Sequence, residues 1–155
     1  GVYNKETTEH LTDELLSGDE SGMHAFLILD IDYFKQVNDS YGHAVGDIVL
    51  QKFGKLLKST FREGDILGRI GGDEFVVIMK NIQTKEMATK KAGELLAKAQ
   101  AYQIDELKGN NISISIGIST APQDGDCYMD LYKRADQALY QAKRSGKARA
   151  CNYCS

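Results

Sequence analysis

The chain has 155 residues, 42% of them hydrophobic, which is enough for one domain with its own core. Its net charge of −3 argues against a general nucleic-acid surface, and its apolar runs are too short to cross a membrane, so we expect a cytoplasmic domain without membrane contact. Three cysteines do not suggest a disulfide framework, and the C-x-x-C pair of Cys151 and Cys154 lacks the other half of a zinc site.

The hydrophobic pattern predicts helices and strands along the whole chain. In chain order they are a helix over 5–17, a buried strand over 24–32, a short helical stretch over 33–39, a helix from Asp47 to about Phe61, a hairpin of 66–70 and 75–80, a helix over 85–102, a strand over 112–119, a helix over 126–145 and a short strand near 148–153. This order predicts an α/β (α+β) fold in which helices cover a mainly antiparallel sheet.

The strand predicted over 24–32 is a continuous apolar run that ends in acidic residues. Residues 25–29 suit a strand that is buried on both faces, and Asp30, Ile31 and Asp32 follow at once. An acid at the end of a buried strand costs free energy unless it is paired or bound to a metal. Asp30 is therefore a candidate metal ligand.

A second acidic site lies between the two strands of the predicted hairpin. Gly71 and Gly72 accept the positive φ angles that tight hairpins need, and they lack side chains that would keep a ligand from the backbone. Asp73 and Glu74 follow directly, at the rim of an apolar sheet, where carboxylates can hold a divalent metal over a phosphate. For this motif alone, a solvated acidic turn is the commoner interpretation.

The two acidic sites can form one site if their strands are neighbours in the sheet. Asp30 and Asp73 would then converge on the same cation. Magnesium typically takes one or two protein carboxylates and completes its shell with water and substrate phosphates. The residues thus favour a metal-dependent nucleotide site, and two unrelated strand-end acids remain the alternative.

Several ordered motifs of the chain resemble the GGDEF domain of diguanylate cyclases. They are Asp30-Ile31-Asp32-Tyr33-Phe34-Lys35-Gln36-Val37-Asn38-Asp39, Tyr41-Gly42-His43, Gly46-Asp47 and Gly71-Gly72-Asp73-Glu74-Phe75. The resemblance extends from Gly1 to about Lys147, so we expect one domain over 1–155. It implies a fold similar to the palm of polymerases and nucleotidyl cyclases. It also implies an enzyme that uses Mg²⁺ or Mn²⁺ to condense two GTP molecules into cyclic di-GMP, releasing two pyrophosphates, as a homodimer.

The resemblance also implies roles for the acidic residues. Asp30, Asp73 and Glu74 are the implied catalytic residues. The metal ligands would be Asp30, Asp73 and the backbone carbonyl of Ile31. The share of Glu74 in metal binding or proton removal stays open.

By the same resemblance, Asn38 and Asp47 match the family positions that recognise guanine, and an Asp acceptor suits the N1–H and N2–H₂ donors of that base. Asp47 therefore argues for GTP, although it also suits a helix N-cap. His43 lies between these two residues and either borders the nucleoside or packs the loop. Gly71 and Gly72 complete this part of the implied substrate site.

Phosphate binding is implied at both ends of the motif region. The backbone amides of Phe34 and Lys35 begin a helical turn and could hold the β- and γ-phosphates. Lys143 and Lys147 match a basic pair of the family, with Lys where Arg is frequent at the second position and Ala148 where Asn often follows. A solvated helix end is the alternative for these two lysines.

The tetrapeptide from Arg62 to Asp65 matches the position of the family's inhibitory product site. An Arg can bond guanine O6 and N7 bidentately, and Arg69 is close enough in sequence to join it. Cyclic di-GMP is thus an expected inhibitor as well as the product. A surface pair of Arg62 and Asp65 is the alternative.

The resemblance bears on domain organisation too. The family usually begins with an Asp-x-Leu-Thr stretch before the segment that starts at Gly1, so we expect a domain cut from a longer signalling protein, often a membrane-anchored one. The alternative function is a non-catalytic module that binds GTP or cyclic di-GMP. The intact acids Asp30, Asp73 and Glu74 favour the enzyme.

Overall fold

The structure is a computed structural model that describes residues 2–18 and 22–154. Gly1, where the predicted domain starts, lies outside the described residues. The helices are α1 (Lys5–Leu16), α2 (Phe34–Tyr41), α3 (His43–Thr60), α4 (Lys85–Ala101) and α5 (Tyr128–Arg144), with a short 3₁₀ helix at Asp105–Leu107. The strands are β1 (Met23–Ile31), β2 (Ile66–Arg69), β3 (Glu74–Ile82), β4 (Ile114–Ala121) and β5 (Ala150–Asn152).

The strands form one five-stranded sheet in the order β2-β3-β1-β4-β5. The central strand β1 pairs antiparallel with β3 and β4, and β2 pairs antiparallel with β3. The last pair, β4 with β5, is parallel, so the sheet is mixed. The predicted α+β fold with a mainly antiparallel sheet is confirmed.

Both faces of the sheet are buried under helices. Successive strand residues point to opposite faces, so Leu27 and Leu29 of β1 enter the core beneath α3 and α4. Phe26 and Ile28 enter a second core beneath α5 and α1. This double burial explains why β1 is a continuous apolar run.

Helix α5 packs unusually close to β4 because of one glycine. A Cβ atom at Gly117 would lie 2.1 Å from the carbonyl oxygen of Ala135 and 2.4 Å from the backbone nitrogen of Leu139. Any side chain at this position would therefore push the helix off the sheet. From this position on β4, α5 reaches both acidic motifs, since Lys143 contacts Asp30 and Tyr132 contacts Glu74.

Two local predictions about glycine and capping are wrong. Asp47 does not cap α3, since that helix begins at His43 and its N-cap is Gly42, with φ of 91° and no side-chain cap. Gly42 ends α2 through its N–H bond to Asn38 and starts α3 at once, so Asp47 lies inside the helix. The positive φ expected at the hairpin glycines is also absent, because neither Gly71 nor Gly72 has a left-handed backbone.

Other boundaries shift by a few residues. The first helix ends at Leu16, with Ser17 as its C-cap, one residue before its predicted end at 17. Helix α2 continues to Tyr41 because Gly42 is the first residue whose backbone leaves the helical region. Among the described residues, no helix is both long and apolar enough to span a membrane.

Candidate active site

The two acidic motifs meet at one end of the sheet. Asp30, near the end of β1, lies opposite Glu74, the first residue of β3. The backbone N–H of Ile31 donates to the carbonyl oxygen of Asp73 at 3.3 Å. Because β1 and β3 are hydrogen-bonded neighbours, the structure brings Asp30 and Asp73 together, as the sequence predicted.

The surroundings of Asp73, including the neighbouring Asp30, shift its pKa. Burial is the largest cause, and together with the neighbouring Asp30 carboxylate it raises the pKa of Asp73 to about 6. Asp30 is only 13% exposed at its side chain, and its Oδ1 atom is buried without a hydrogen-bond partner among the described residues. Such an oxygen has capacity for a ligand that the protein itself does not supply.

Lys143 of α5 forms an ion pair with the other carboxylate oxygen of Asp30. Burial lowers the pKa of the Lys143 ammonium, but the hydrogen bond and charge of Asp30, joined by the charge of Asp73, outweigh it and leave the pKa raised. Lys143 thus keeps its positive charge and neutralises part of the acidic pair.

The donor set fits a hard divalent cation. Asp30 and Asp73 offer carboxylate oxygens, and the carbonyl of Ile31 lies between them in the chain. Oxygen ligands of this kind suit Mg²⁺ and Mn²⁺. Elsewhere in the described part of the chain, the exposed Asp126 and Asp130 and the half-buried Cys127 form a group of three possible ligands.

Glu74 has a partner that the sequence analysis missed. The hydroxyl of Tyr132, on α5, donates a hydrogen bond to Oε1 of Glu74. Tyr132 lies on the buried face of an amphipathic helix, where an aromatic residue reads as part of the core. Only its hydroxyl group could have indicated a polar contact.

Asp32 is a second residue whose role was missed. It is 6% exposed, and its carboxylate accepts hydrogen bonds from the hydroxyls of Ser113 and Ser115, both at 2.7 Å, and from the backbone N–H of Ala148 at 3.1 Å. Asp32 therefore anchors the segment that follows α5 to the end of β1. The alternating serines before and within β4 were the available signal.

The proposed phosphate-binding groups lie near one another. Tyr33 has a left-handed backbone, with φ of 61°, and begins α2 without a side-chain cap, so the amides of Phe34 and Lys35 open the helix. The ammonium of Lys147 stands 4.0 Å from the centroid of the Tyr33 ring. The structure thus places Lys147 beside the start of α2, and Lys143 beside Asp30.

The three residues expected at the base lie where α2 meets α3. A Cβ atom at Gly46 would be 2.0 Å from Oδ1 of Asn38, so the Asn38 amide packs directly against α3. His43 is the exposed first residue of that helix, and Asp47 is exposed one turn later. Asp47 also lines an open groove of about 600 Å³ together with Arg69.

The predicted product-site residues divide between two places. Asp65 is 2% exposed at its side chain and accepts hydrogen bonds from Arg62 Nη2 at 3.3 Å and from the backbone N–H of Lys80 at 3.1 Å. The side chain of Arg62 is 58% exposed. Arg69 bonds instead to the hairpin, donating from Nη2 to the carbonyl oxygen of Gly72 at 2.7 Å and from Nε to that of Gly71 at 3.2 Å.

A comparison with models of protein families identifies the family of this chain. The family model described as diguanylate cyclase, GGDEF domain, matches residues 1–149. The chain belongs to the GGDEF domain family. The expected fold and the family resemblance are therefore both confirmed.

Named relatives of this GGDEF domain agree with the family. Diguanylate cyclase A of Treponema denticola is 38% identical over 143 residues, which cover 91% of this chain and 38% of that protein. The response regulator PleD of Caulobacter vibrioides is 40% identical over 124 residues, which cover 78% of this chain and 27% of PleD. The GGDEF domain thus spans less than half the length of these relatives.

Solved structures have the same fold as this GGDEF domain. The GGDEF domain of TpbB, also called YfiN, from Pseudomonas aeruginosa superposes with a TM-score of 0.93 at 30% identity, covering 100% of this chain and 98% of that one. The active GGEEF domain of a Vibrio cholerae diguanylate cyclase superposes with a TM-score of 0.91 at 29% identity, covering 100% and 99% of the two chains.

Proposed function

We propose that this GGDEF domain is a diguanylate cyclase, which condenses two GTP molecules into cyclic di-GMP and releases two pyrophosphates. The observation that carries the proposal is the convergence of Asp30 and Asp73 at the ends of adjacent strands, with one buried oxygen of Asp30 left without a partner among the described residues. Relatives that cover most of the chain are named diguanylate cyclases.

Asp30, Asp73 and the carbonyl of Ile31 would hold Mg²⁺ or Mn²⁺. When bound, the cation neutralises charge on the α-phosphate and helps to ionise the attacking 3′-hydroxyl. Until then the carboxylate of Asp30 is held by the Lys143 ammonium. Phosphoryl transfer depends on such positioning and charge neutralisation more than on covalent chemistry.

The triphosphate would bind between the start of α2 and the end of α5. The opening amides of Phe34 and Lys35 carry the positive end of a helix dipole, which favours phosphate oxygens. Lys143 and Lys147 face this region from the other side and would contact the terminal phosphates. The side-chain-free hairpin at Gly71 and Gly72 leaves space for the substrate to approach the backbone.

The base would be read by Asn38 and Asp47, with His43 between them at the rim. An Asp acceptor pairs with two donors on guanine, and adenine offers no such pair of donors. Groups that lose their partner on binding the wrong base impose a large penalty. Calorimetry should therefore show GTP binding far more tightly than ATP, and Asp47→Ser should narrow that difference.

Catalysis would require two copies of the domain. One hairpin and one acidic pair serve a single GTP, whereas the product joins two nucleotides that face each other. A two-fold symmetric pair of identical sites meets this need. Specific activity should rise with protein concentration, and fusing a parallel two-stranded coiled coil before Gly1 should raise activity at low concentration. Activity that stays flat across a wide dilution series would contradict this half-site arrangement.

Product inhibition would act through Arg62 and Asp65, whose ion pair joins a buried carboxylate to a mostly exposed Arg62 side chain. Arg69 holds the hairpin and would couple it to this surface. Arg62→Ala should relieve inhibition by cyclic di-GMP with little change in the initial rate. An unchanged inhibition curve would leave Arg62 as a surface ion-pair residue.

The decisive experiment is incubation of the protein with GTP and Mn²⁺, followed by mass spectrometry for cyclic di-GMP. Asp73→Asn is the matched control, because it keeps the shape of the side chain and removes a metal carboxylate. We expect product from the wild type and none from the variant. Nucleotide binding without product at high protein concentration would favour the non-catalytic module instead.

A further inference from the structure

Tyr132 is fixed from three sides within the core beneath α5. Its ring stacks on Tyr128, with centroids 5.9 Å apart and an interplanar angle of 24°, and meets Phe26 edge-on at 6.4 Å. Its hydroxyl donates to Oε1 of Glu74. An aromatic side chain has only two rotatable bonds, and this ring is packed against its neighbours, so the position of the hydroxyl is fixed. The carboxylate of Glu74 is thereby held as well.

The two acids that face each other across β1 and β3 have their partners at different points along α5. Residues directly opposite on antiparallel strands have Cβ atoms about 5 Å apart, and Asp30 is directly opposite Glu74. Asp30 is held by Lys143, whereas Glu74 is held by Tyr132. These two partners lie three turns apart on α5, or roughly 16 Å along its axis.

The surroundings of Glu74 agree with this separation. Asp30, Asp73 and Glu74 are all described, and they do not form a group of three carboxylates that could share one ion. After burial, which is the main cause, the charges of Glu9 and Glu74 raise the pKa of Tyr128, so the Glu74 charge acts on the aromatic side of the sheet.

We propose that Tyr132 is a positioning residue that holds the Glu74 carboxylate away from the Asp30–Asp73 pair, so that two carboxylates rather than three face the cation. The inference rests on the metal site of the proposed function. Holding Glu74 away would limit the negative charge around the cation. A third carboxylate would bind a free divalent cation more tightly, but it would add negative charge where a triphosphate has to be neutralised.

The test is the affinity of the nucleotide-free protein for Mn²⁺, measured by the loss of the free-ion electron paramagnetic resonance signal. Tyr132→Phe releases Glu74 and should tighten Mn²⁺ binding by about fivefold, because a third carboxylate can then join the site. Tyr128→Phe is the matched control. It removes the same atom from the same aromatic stack, and the Tyr128 hydroxyl has no hydrogen-bond partner among the described residues.

The double variant Tyr132→Phe with Glu74→Gln isolates the contact. Its Mn²⁺ affinity should equal that of Glu74→Gln alone, because the gain in Tyr132→Phe passes through the Glu74 carboxylate. Thermal denaturation of Tyr132→Phe and Tyr128→Phe shows whether either change disturbs the fold.

Several outcomes would overturn the inference. Equal or weaker Mn²⁺ binding by Tyr132→Phe contradicts it, and so does a gain that persists in the double variant. A wild type that binds no Mn²⁺ contradicts both the inference and the metal site. The expected affinity pattern in a protein that makes no cyclic di-GMP supports the role of Tyr132 and contradicts the proposed function, so the two failures are distinguishable.

Discussion

Asp30 and Asp32 are two residues apart at the end of the same strand, yet their carboxylates differ in how many hydrogen-bond partners the protein supplies. Both carboxylate oxygens of Asp32 accept hydrogen bonds from Ser113, just before β4, from Ser115 within it and from the backbone of Ala148 after α5. Asp30 has one oxygen on the Lys143 ammonium and one buried oxygen without a partner among the described residues. A carboxylate whose oxygens all have hydrogen-bond partners stabilises the fold, and one with an unpaired oxygen can bind a ligand.

The largest effect should come from Asp30→Asn. We expect turnover to fall by at least about a thousandfold, because the loss of one metal carboxylate removes several kcal/mol of transition-state stabilisation. The melting temperature should change little, because the loss of the Lys143 ion pair is offset by relief of the charge repulsion between Asp30 and Asp73. Turnover is measured with GTP at saturating Mn²⁺. Near-normal turnover would contradict the role of Asp30 as a metal ligand and hence the contrast with the structural Asp32.

Asp32→Ala should have the opposite profile. The change leaves the hydroxyls of Ser113 and Ser115 and the N–H of Ala148 without their acceptor, so the free energy of unfolding should fall by about 2 to 4 kcal/mol. Urea denaturation of this variant beside Asp30→Asn measures the difference. If Asp30→Asn proved the less stable of the two, the proposed division of roles would be wrong.

Lys143→Met should separate metal binding from phosphate binding. Removing the ammonium from Asp30 frees an oxygen, so Mn²⁺ should bind the nucleotide-free protein about tenfold more tightly. The same change should weaken GTP binding. Lys147→Met is the control, because Lys147 lies over Tyr33 rather than on Asp30 and should leave Mn²⁺ affinity unaltered. Isothermal titration measures both ligands, and parallel changes in the two affinities would count against the assignment.

The smallest effect is a dependence of metal binding on pH. Since the pKa of Asp73 is raised to about 6, a proton competes with the cation below that pH. Mn²⁺ affinity should therefore fall roughly fourfold from pH 7.5 to pH 5.5, with proton release on binding. Because the folded pKa exceeds that of the unfolded chain, ionisation of Asp73 also lowers the stability of the metal-free protein as pH rises from about 4 to 6. Asp73→Asn should abolish both trends.

Most of the fold could be predicted because it depends on local patterns. The apolar run at 25–29 and the alternation of Ile114, Ile116 and Ile118 with small residues both became strands beneath helices. The residue at which α3 begins could not be predicted correctly, and Asp47 was wrongly expected to cap that helix. Composition does not show that Gly42 both ends one helix and starts the next, which depends on its backbone φ of 91°.

The sequence by itself determined which acids stand at strand ends. That Asp30 and Asp73 share one rim of the sheet was decided by the pairing of β1 with β3. Only the tertiary structure decided which donor pairs with each carboxylate. The donor to Glu74 lies 58 residues away in the chain, that to Asp30 lies 113 away, and the backbone donor to Asp32 lies 116 away. Contacts over such distances follow from how α5 and the segment after it pack across β1, β3 and β4, and no local pattern specifies them.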